Sequence, residues 1–375
     1  MGKSTVHIPE FGEVLLPDAF RPMVGEVSGF EAVEATEVPS RVLQRLKAGV
    51  GVVLYGPYAY VDGVYRYGQR FEKELVPSDA FRDIGNRFER MAAMTVARRQ
   101  RLHRLFVVVE DDTLVRVKDA PEIAGWTQWL EGPVQQGRRI LIPVRRLQRI
   151  LTDMRRMKEG LRIEALSETI TVLPHVYVPS DQRVIGMFAA KREAIAGKRV
   201  LDLGTGTGVL ALLAAQFGAS EVVASDNNPN AVENARLNVR RLGMEDVVCV
   251  CGPSDLFEGL TGEVFDVILF NAPWVQGKAT TLYDTAIYDE GYAVIRGLFA
   301  SVCDHLAEDG AILLQYSNVS ELRGEGSIAH LKELIAAHGL EIRDVAQVRR
   351  KSRILGGRET VFLFDIRRRG VKRDA

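Results

Sequence analysis

The chain has 375 residues, 46% of them hydrophobic and 26% charged, and its acidic and basic side chains balance to a formal net charge of zero. That is ordinary globular composition at a length that favours two domains over one. Three cysteines cannot form a disulfide framework at this size, and no apolar run approaches the ~18 residues of a membrane helix. The opening MGKSTVHIPEFGEVLL also lacks the charged-then-apolar order of a secretory signal, so a cytoplasmic protein with no membrane partner is expected.

The first ~165 residues carry two β-branched apolar runs, Val52–Tyr55 and Phe106–Val109, that read as strands. Phe81–Leu105 reads as a helix, with Phe81, Ile84, Phe88, Met91 and Leu102 near the helical period. Pro143 suits the first position of a second helix, whose apolar stripe is Val144, Leu147, Leu151, Met154 and Met157 or Ile150. Both helices are rich in arginine. Residues 81–104 hold seven arginines against two acids, and residues 135–162 hold nine basic residues against two acids. Faces of this kind are commonly solvated or salt-bridged. Two of them, with the basic stretches Arg349, Arg350, Lys351, Arg353 and Arg367–Arg369, also suit an anionic partner such as RNA or the ribosome, or a protein. Few aromatics interleave with these arginines, which argues against a single-strand stacking platform. Residues 1–165 are expected to form a separate α+β domain.

Residues 166–375 read differently, as short β-branched runs alternating with helical patterns, the mark of βαβ units and a parallel sheet. Strands are expected at Arg199–Leu203, Glu221–Ser225, Val247–Cys251, Phe265–Phe270, Ala311–Gln315, Glu341–Val348 and Thr360–Ile366. Helices are expected at Gly208–Gln216, Pro229–Leu242, Tyr292–Leu306 and Ser327–His338. A short Gly- and Arg-rich turn joins the last two strands, so these should pair antiparallel. Cys249 and Cys251 share a face of the third strand and read as buried core thiols. Neither they nor the histidines have the spacing of a metal centre, and no metal site is expected.

The chemistry concentrates at strand ends. Val200-Leu-Asp-Leu-Gly-Thr-Gly-Thr-Gly-Val209 is a buried strand, a glycine-rich turn and a helix start. Glycines there let the backbone turn tightly and approach a ligand. A dinucleotide fold would need G-x-G-x-x-G, whereas the glycines are Gly204, Gly206 and Gly208. Asp202, ahead of the loop, suits a ligand carrying a cationic amino group. The D-x-G-x-G-x-G pattern resembles the first motif of class I methyltransferases. That resemblance implies S-adenosyl-L-methionine as cofactor, held by Asp202, Gly204, Thr205, Gly206 and Gly208. Asp226 ends the second strand, where a carboxylate can accept both ribose hydroxyls. Its alternative is the N-cap of the next helix, a role open to Asn227 or Asn228 as well. Asn227 is included among the cofactor residues. Asp255, after the third strand, is placed for the adenine amino group or is a plain turn residue.

Asn271-Ala272-Pro273-Trp274 follows the fourth strand directly and resembles the N-P-P-[YFW] motif of methyltransferases that act on planar nitrogen. Such a nitrogen has a delocalised lone pair and is a poor nucleophile. An asparagine oxygen and a neighbouring carbonyl can accept its N–H bonds, and an aromatic ring can stack on the flat acceptor. Asn271, Pro273 and Trp274 are therefore the expected catalytic residues, with Asn271 also touching cofactor. Val176-Tyr-Val-Pro-Ser-Asp181 and Asp226–Asn238 extend the similarity, over about residues 170–320, to the HemK-type family that methylates a glutamine side chain of translation release factors. The resemblance implies a Rossmann-like, doubly wound, seven-stranded sheet. It also implies an acceptor pocket containing Tyr177, Ala272, Trp274 and Tyr283. Tyr283, Tyr288 and Tyr292 either stack on an acceptor or pack a lid. Residues 1–165 do not resemble that family's small helical domain. Three functions follow: an N-methyltransferase of a macromolecule, of a small molecule, or a scaffold with a degenerate fold.

Overall fold

Val52, Val53 and Leu54, and Phe106 through Val109, are wholly buried. Runs this continuously apolar belong to strands covered on both faces. They lie in Gly51–Pro57 and Leu105–Glu110, neighbours in a mixed sheet with the spatial order Ser4–Ile8, Gly12–Leu16, Arg139–Pro143, Leu105–Glu110, Gly51–Pro57, Phe30–Glu34. The last three run parallel. Helix Pro39–Lys47 makes one crossover between them, and Tyr58–Arg70 with Arg87–Leu102 makes the other. The computed structural model describes residues 4–85, 87–126, 137–279, 281–352 and 358–370. The chain divides into units Met1–Arg155 and Arg156–Ala375.

Several expectations for the first unit need correction. Pro143 does not begin a helix: it closes a strand opposite Phe106, and the helix runs Val144–Glu159. A proline can end a strand because it needs no further ladder donor. The buried positions of that helix are Val144, Leu147 and Ile150, while Met157 is exposed, so the stripe follows the Ile150 option. The preceding helix begins at Arg87, not Phe81, which sits in a turn at φ 67°. Gln135 and Arg353, which fall in the basic stretches, lie outside the described residues.

The second unit carries strands β1 (Arg199–Leu203), β2 (Glu221–Ser225), β3 (Val248–Val250), β4 (Phe265–Asn271), β5 (Leu306–Ser317), β6 (Leu340–Lys351) and β7 (Arg358–Arg368). Their spatial order is β3-β2-β1-β4-β5-β7-β6. All neighbours are parallel except β7, which runs against both β5 and β6. Helices α1 (Gln182–Ala189), α2 (Val209–Gln216), α3 (Pro229–Arg241), α4 (Ala293–His305) and α5 (Ile328–Ala337) complete a Rossmann-like α/β unit. The final pair is antiparallel up to Lys351 opposite Arg358, and the turn between lies outside the described residues. Cys249 corrects another reading: β3 is a sheet edge, so Cys249 is exposed and Cys251 only partly covered, with their sulfurs 3.9 Å apart.

Candidate functional site

The chain leaves β1 in two directions, to β2 and β3 on one side and to β4 and β5 on the other. A crevice must open at the carboxyl ends of β1 and β4, where the strand order reverses. The structure has its cleft there, lined by Leu203–Thr207, Ser225–Asn228, Ser254, Asp255, Phe270, Asn271, Pro273, Tyr177 and Pro179 among others.

The glycine-rich turn is held from below. Asp202 is almost fully buried, and its Oδ2 accepts from the Thr205 hydroxyl (2.6 Å) and the Ala211 N–H (2.9 Å). It thereby ties the loop to the first turn of α2, and it is not itself a lining residue. Burial pushes its carboxyl up to about 7, against the opposing pull of those two hydrogen bonds. Gly204, Gly206 and Gly208 have φ of 66°, 57° and 84°, the left-handed region that a Cβ disfavours. At Gly206 a Cβ would meet nothing within 4 Å, whereas at Gly208 it would come within 3.2 Å of the Ala235 backbone. Gly208 therefore serves the packing of α2 on α3 and does not line the cleft, while Gly204, Thr205 and Gly206 do.

Asp226 is a lining residue. Its Oδ2 accepts from Gly206 N (2.8 Å) and its Oδ1 from Asn228 N (2.9 Å), which locks the two loops together. Burial raises its carboxyl above the ordinary range, while N–H donors from Asn228, Gly206 and Asn227 pull it back. The N-cap of α3 is Asn228, whose side chain accepts from Asn230 N, with Pro229 in the first helical position. Asp226 is thus left facing the cleft. Asn227 and Asp255 are exposed lining residues.

On the other wall, Asn271 ends β4 in register with Gln315 of β5. Its Oδ1 is buried and has no hydrogen-bond partner. Pro273 lines the cleft. Ala272 and Trp274 are buried and are not among the lining residues. The Trp274 carbonyl accepts from Ser320 Oγ (3.0 Å), and the Arg350 guanidinium lies 5.4 Å from the centre of its ring. Tyr283 is likewise not a lining residue, whereas Tyr177 is. Tyr292 is buried, and its hydroxyl accepts from Ser327 N (2.7 Å), which gives it a packing role. Val275 pairs with the 287–289 segment, and Asp289 then caps α4 through Val294 N.

Sequence reasoning missed what holds Tyr177 and Pro179 in place. Asn234 and Asn238 of α3 are wholly buried. Their Oδ1 atoms accept from Leu173 N (2.7 Å) and Thr171 N (2.8 Å), and both amides donate to Thr171 O. Asn238 also donates to Thr207 O, and Asn228 Nδ2 to His175 O, each at 2.9 Å. The extended segment leading to Tyr177 is therefore sewn to α3 and to the glycine loop. The available signal was two asparagines four apart on one helix face, an arrangement costly to bury unless every amide is used.

The cleft has a second property. Buried side-chain atoms without partners include Thr207 Oγ1, Ser225 Oγ, Ser254 Oγ and Asn271 Oδ1, all on lining residues, and Asp202 Oδ1 just beneath. Buried polar atoms are rarely left unpaired. Five of them lie around this one cleft. Among the described residues no group of three or more His, Cys, Asp or Glu could hold a metal ion.

A Rossmann-like sheet of this order, with a glycine turn after β1, an acid after β2 and an Asn-x-Pro turn after β4, defines a class I methyltransferase unit. The family model for the methyltransferase small domain matches residues 186–322. A putative protein N5-glutamine methyltransferase from Methanocaldococcus jannaschii is 37% identical over 153 residues, covering 39% of this chain and 75% of that protein. The chain belongs to the family of class I S-adenosylmethionine-dependent methyltransferases to which that protein belongs. A ribosomal protein L11 methyltransferase from Bacillus cereus is 38% identical over 128 residues, covering 28% of this chain. The match spans 40% of the length of that relative. A crystal structure of a methyltransferase from Pyrococcus furiosus aligns with a TM-score of 0.41 at 22% identity, over 60% of this chain and 99% of that one. No described helix is long and apolar enough to cross a membrane.

Proposed function

We propose that the chain is an S-adenosylmethionine-dependent N-methyltransferase acting on a planar nitrogen, an amide or an exocyclic amine, of a macromolecule. The observation that carries this reading is the set of buried, unpartnered polar atoms around the cleft, Asn271 Oδ1 foremost. Two lines of similarity support a macromolecular acceptor: the matched relatives are named for a ribosomal protein and for protein glutamine.

The residues present fit the cofactor. Asp226 offers its remaining lone pairs to ribose hydroxyls, and Ser225, Ser254 and Asp255 offer further polar partners to the nucleoside. Gly206, with open space where a Cβ would stand, admits the ligand against the backbone. The bound cofactor supplies a methyl group made electrophilic by a sulfonium. Asn271 Oδ1 accepts an N–H of the acceptor nitrogen. This draws electron density onto the nitrogen and aims it into the cleft. Pro273 fixes the backbone of that turn, and Trp274 supports it from behind. Stacking on the acceptor then falls to Tyr177, an aromatic residue that, unlike Trp274, lines the cleft.

The test is transfer of labelled methyl from S-adenosylmethionine into a cell extract separated into protein, RNA and small-molecule fractions. Label in protein or RNA supports the reading. Label confined to small molecules contradicts the macromolecular acceptor, and no label in any fraction contradicts the activity.

A further inference from the structure

The end of the β6–β7 hairpin is built differently on its two faces. On one, Arg350 is paired across the strands with Glu359, Nε to Oε1 at 2.6 Å, and reaches Asp181 Oδ2 at 3.4 Å. Its guanidinium also packs against Trp274. Asp181 and Trp274 stand close in sequence to Pro179 and Pro273, which line the cleft. This face fastens the hairpin to the acceptor side of the site.

The other face carries Arg349, Lys351 and Arg358, all exposed. Lys351 lies directly opposite Arg358 in the ladder. Like charges directly opposite one another destabilise a hairpin. No ion pair or hydrogen bond of these three side chains occurs among the described residues. Arg183, whose Nη1 donates to the Arg349 carbonyl, stands at the same end and is paired with Asp181. The acids here, Asp181 and Glu359, are held by Arg183 and Arg350. Glu321 stands on the short helix Val319–Leu322 beside β7. The arginine-rich helices of the first unit differ, because many of their cations are used internally. Arg90 donates to Ile84 O and Arg101 to Leu75 O, Arg104 just beyond the helix end donates to Val24 O, and Arg149 pairs with Asp153.

We propose that the cationic hairpin face formed by Arg349, Lys351 and Arg358 docks the phosphate backbone of a single-stranded RNA beside the cleft. The inference rests on the methyltransferase reading and gives its acceptor a class. A strand rise of about 3.4 Å per residue sets Arg349 and Lys351 about 6.8 Å apart on one face, close to the step between successive phosphates of an extended strand. Bound phosphates neutralise the Lys351–Arg358 repulsion, so an arrangement unfavourable in the free protein becomes favourable in the complex.

The test is fluorescence anisotropy of a labelled single-stranded RNA of mixed sequence, titrated with the full chain at several salt concentrations. Arg349→Glu and Arg358→Glu should each weaken binding about tenfold and flatten its salt dependence by roughly 0.7 in log–log slope for each phosphate no longer neutralised. Arg358→Glu places a carboxylate opposite Lys351, so the hairpin should keep its fold, and calorimetry should show S-adenosylmethionine affinity unchanged in both variants. Unchanged RNA affinity in the hairpin variants overturns the proposal, as does loss confined to Arg155→Glu and Lys158→Glu on the helix Val144–Glu159. Hairpin-dependent binding of poly-glutamate with no binding of RNA overturns it too, and assigns the surface to an acidic protein instead. Cofactor calorimetry and label transfer report on the enzyme reading separately, so either idea can fail alone.

Discussion

Both units contain parallel strands, and the carboxyl ends of those strands are treated in opposite ways. In the first unit the polar groups there satisfy one another. Glu110 pairs with Arg139, Asp111 Oδ1 accepts from Gly137 N, Asp112 Oδ1 accepts from Gly125 N, and Tyr60 donates to the Glu37 carbonyl. In the second unit the corresponding edge leaves Ser225 Oγ and Asn271 Oδ1 buried and unpaired. Parallel sheets present the same crevice by construction, and what separates scaffold from site is whether the chain completes its own hydrogen bonds there.

The sharpest way to break this contrast is at Asn271. Asn271→Ala should lower methyl transfer by about 10²–10³-fold, the scale of removing one preorganised polar partner from a reacting group. Cofactor affinity measured by calorimetry should change little. Equal loss of both would mean Asn271 serves the cofactor and not the acceptor. Asp226→Ala should instead weaken cofactor binding by about 1–3 kcal/mol, since it removes a ligand partner and also the acceptor for Gly206 N and Asn228 N.

Asp202 sharpens the contrast through pH. Its carboxyl sits near 7 in the folded protein because burial opposes its charge, while an unfolded aspartate titrates near 4. Over that interval the folded state holds a proton that the unfolded state has released. The stabilising contribution is therefore complete below pH ~4 and is lost as pH rises through ~7, with a slope of up to about 1.4 kcal/mol per pH unit. Melting temperatures of Asp202→Asn should fall less over this range than those of the parent chain. An unaltered pH profile would place the titration elsewhere. The smallest effect belongs to the first unit. Asp111→Ala should cost about 1 kcal/mol of stability by removing one exposed hydrogen bond, and should leave cofactor affinity unchanged.

The second unit was largely legible in the sequence, because buried parallel strands write themselves as continuous apolar runs and glycine turns mark their ends. Arg199–Leu203 and Glu221–Ser225 match their expected bounds. The first unit was less legible. Its outer strands Ser4–Ile8 and Gly12–Leu16 form a hairpin at the sheet margin, where mixed polar and apolar residues resemble a loop. At the site, glycines and acids announced themselves by local spacing, but the partners of Trp274 did not. Arg350 reaches its ring from a distant strand, and Asn234 and Asn238 act on a segment some sixty residues earlier, pairings that no local pattern encodes.

Calorimetric titration of the full chain with S-adenosylmethionine shows whether the edge left unsatisfied is a cofactor cradle. A cradle binds the cofactor saturably at one site per chain, and more weakly in Asp226→Ala. Absence of binding up to millimolar ligand, in a chain shown to be folded by its melting transition, would contradict it.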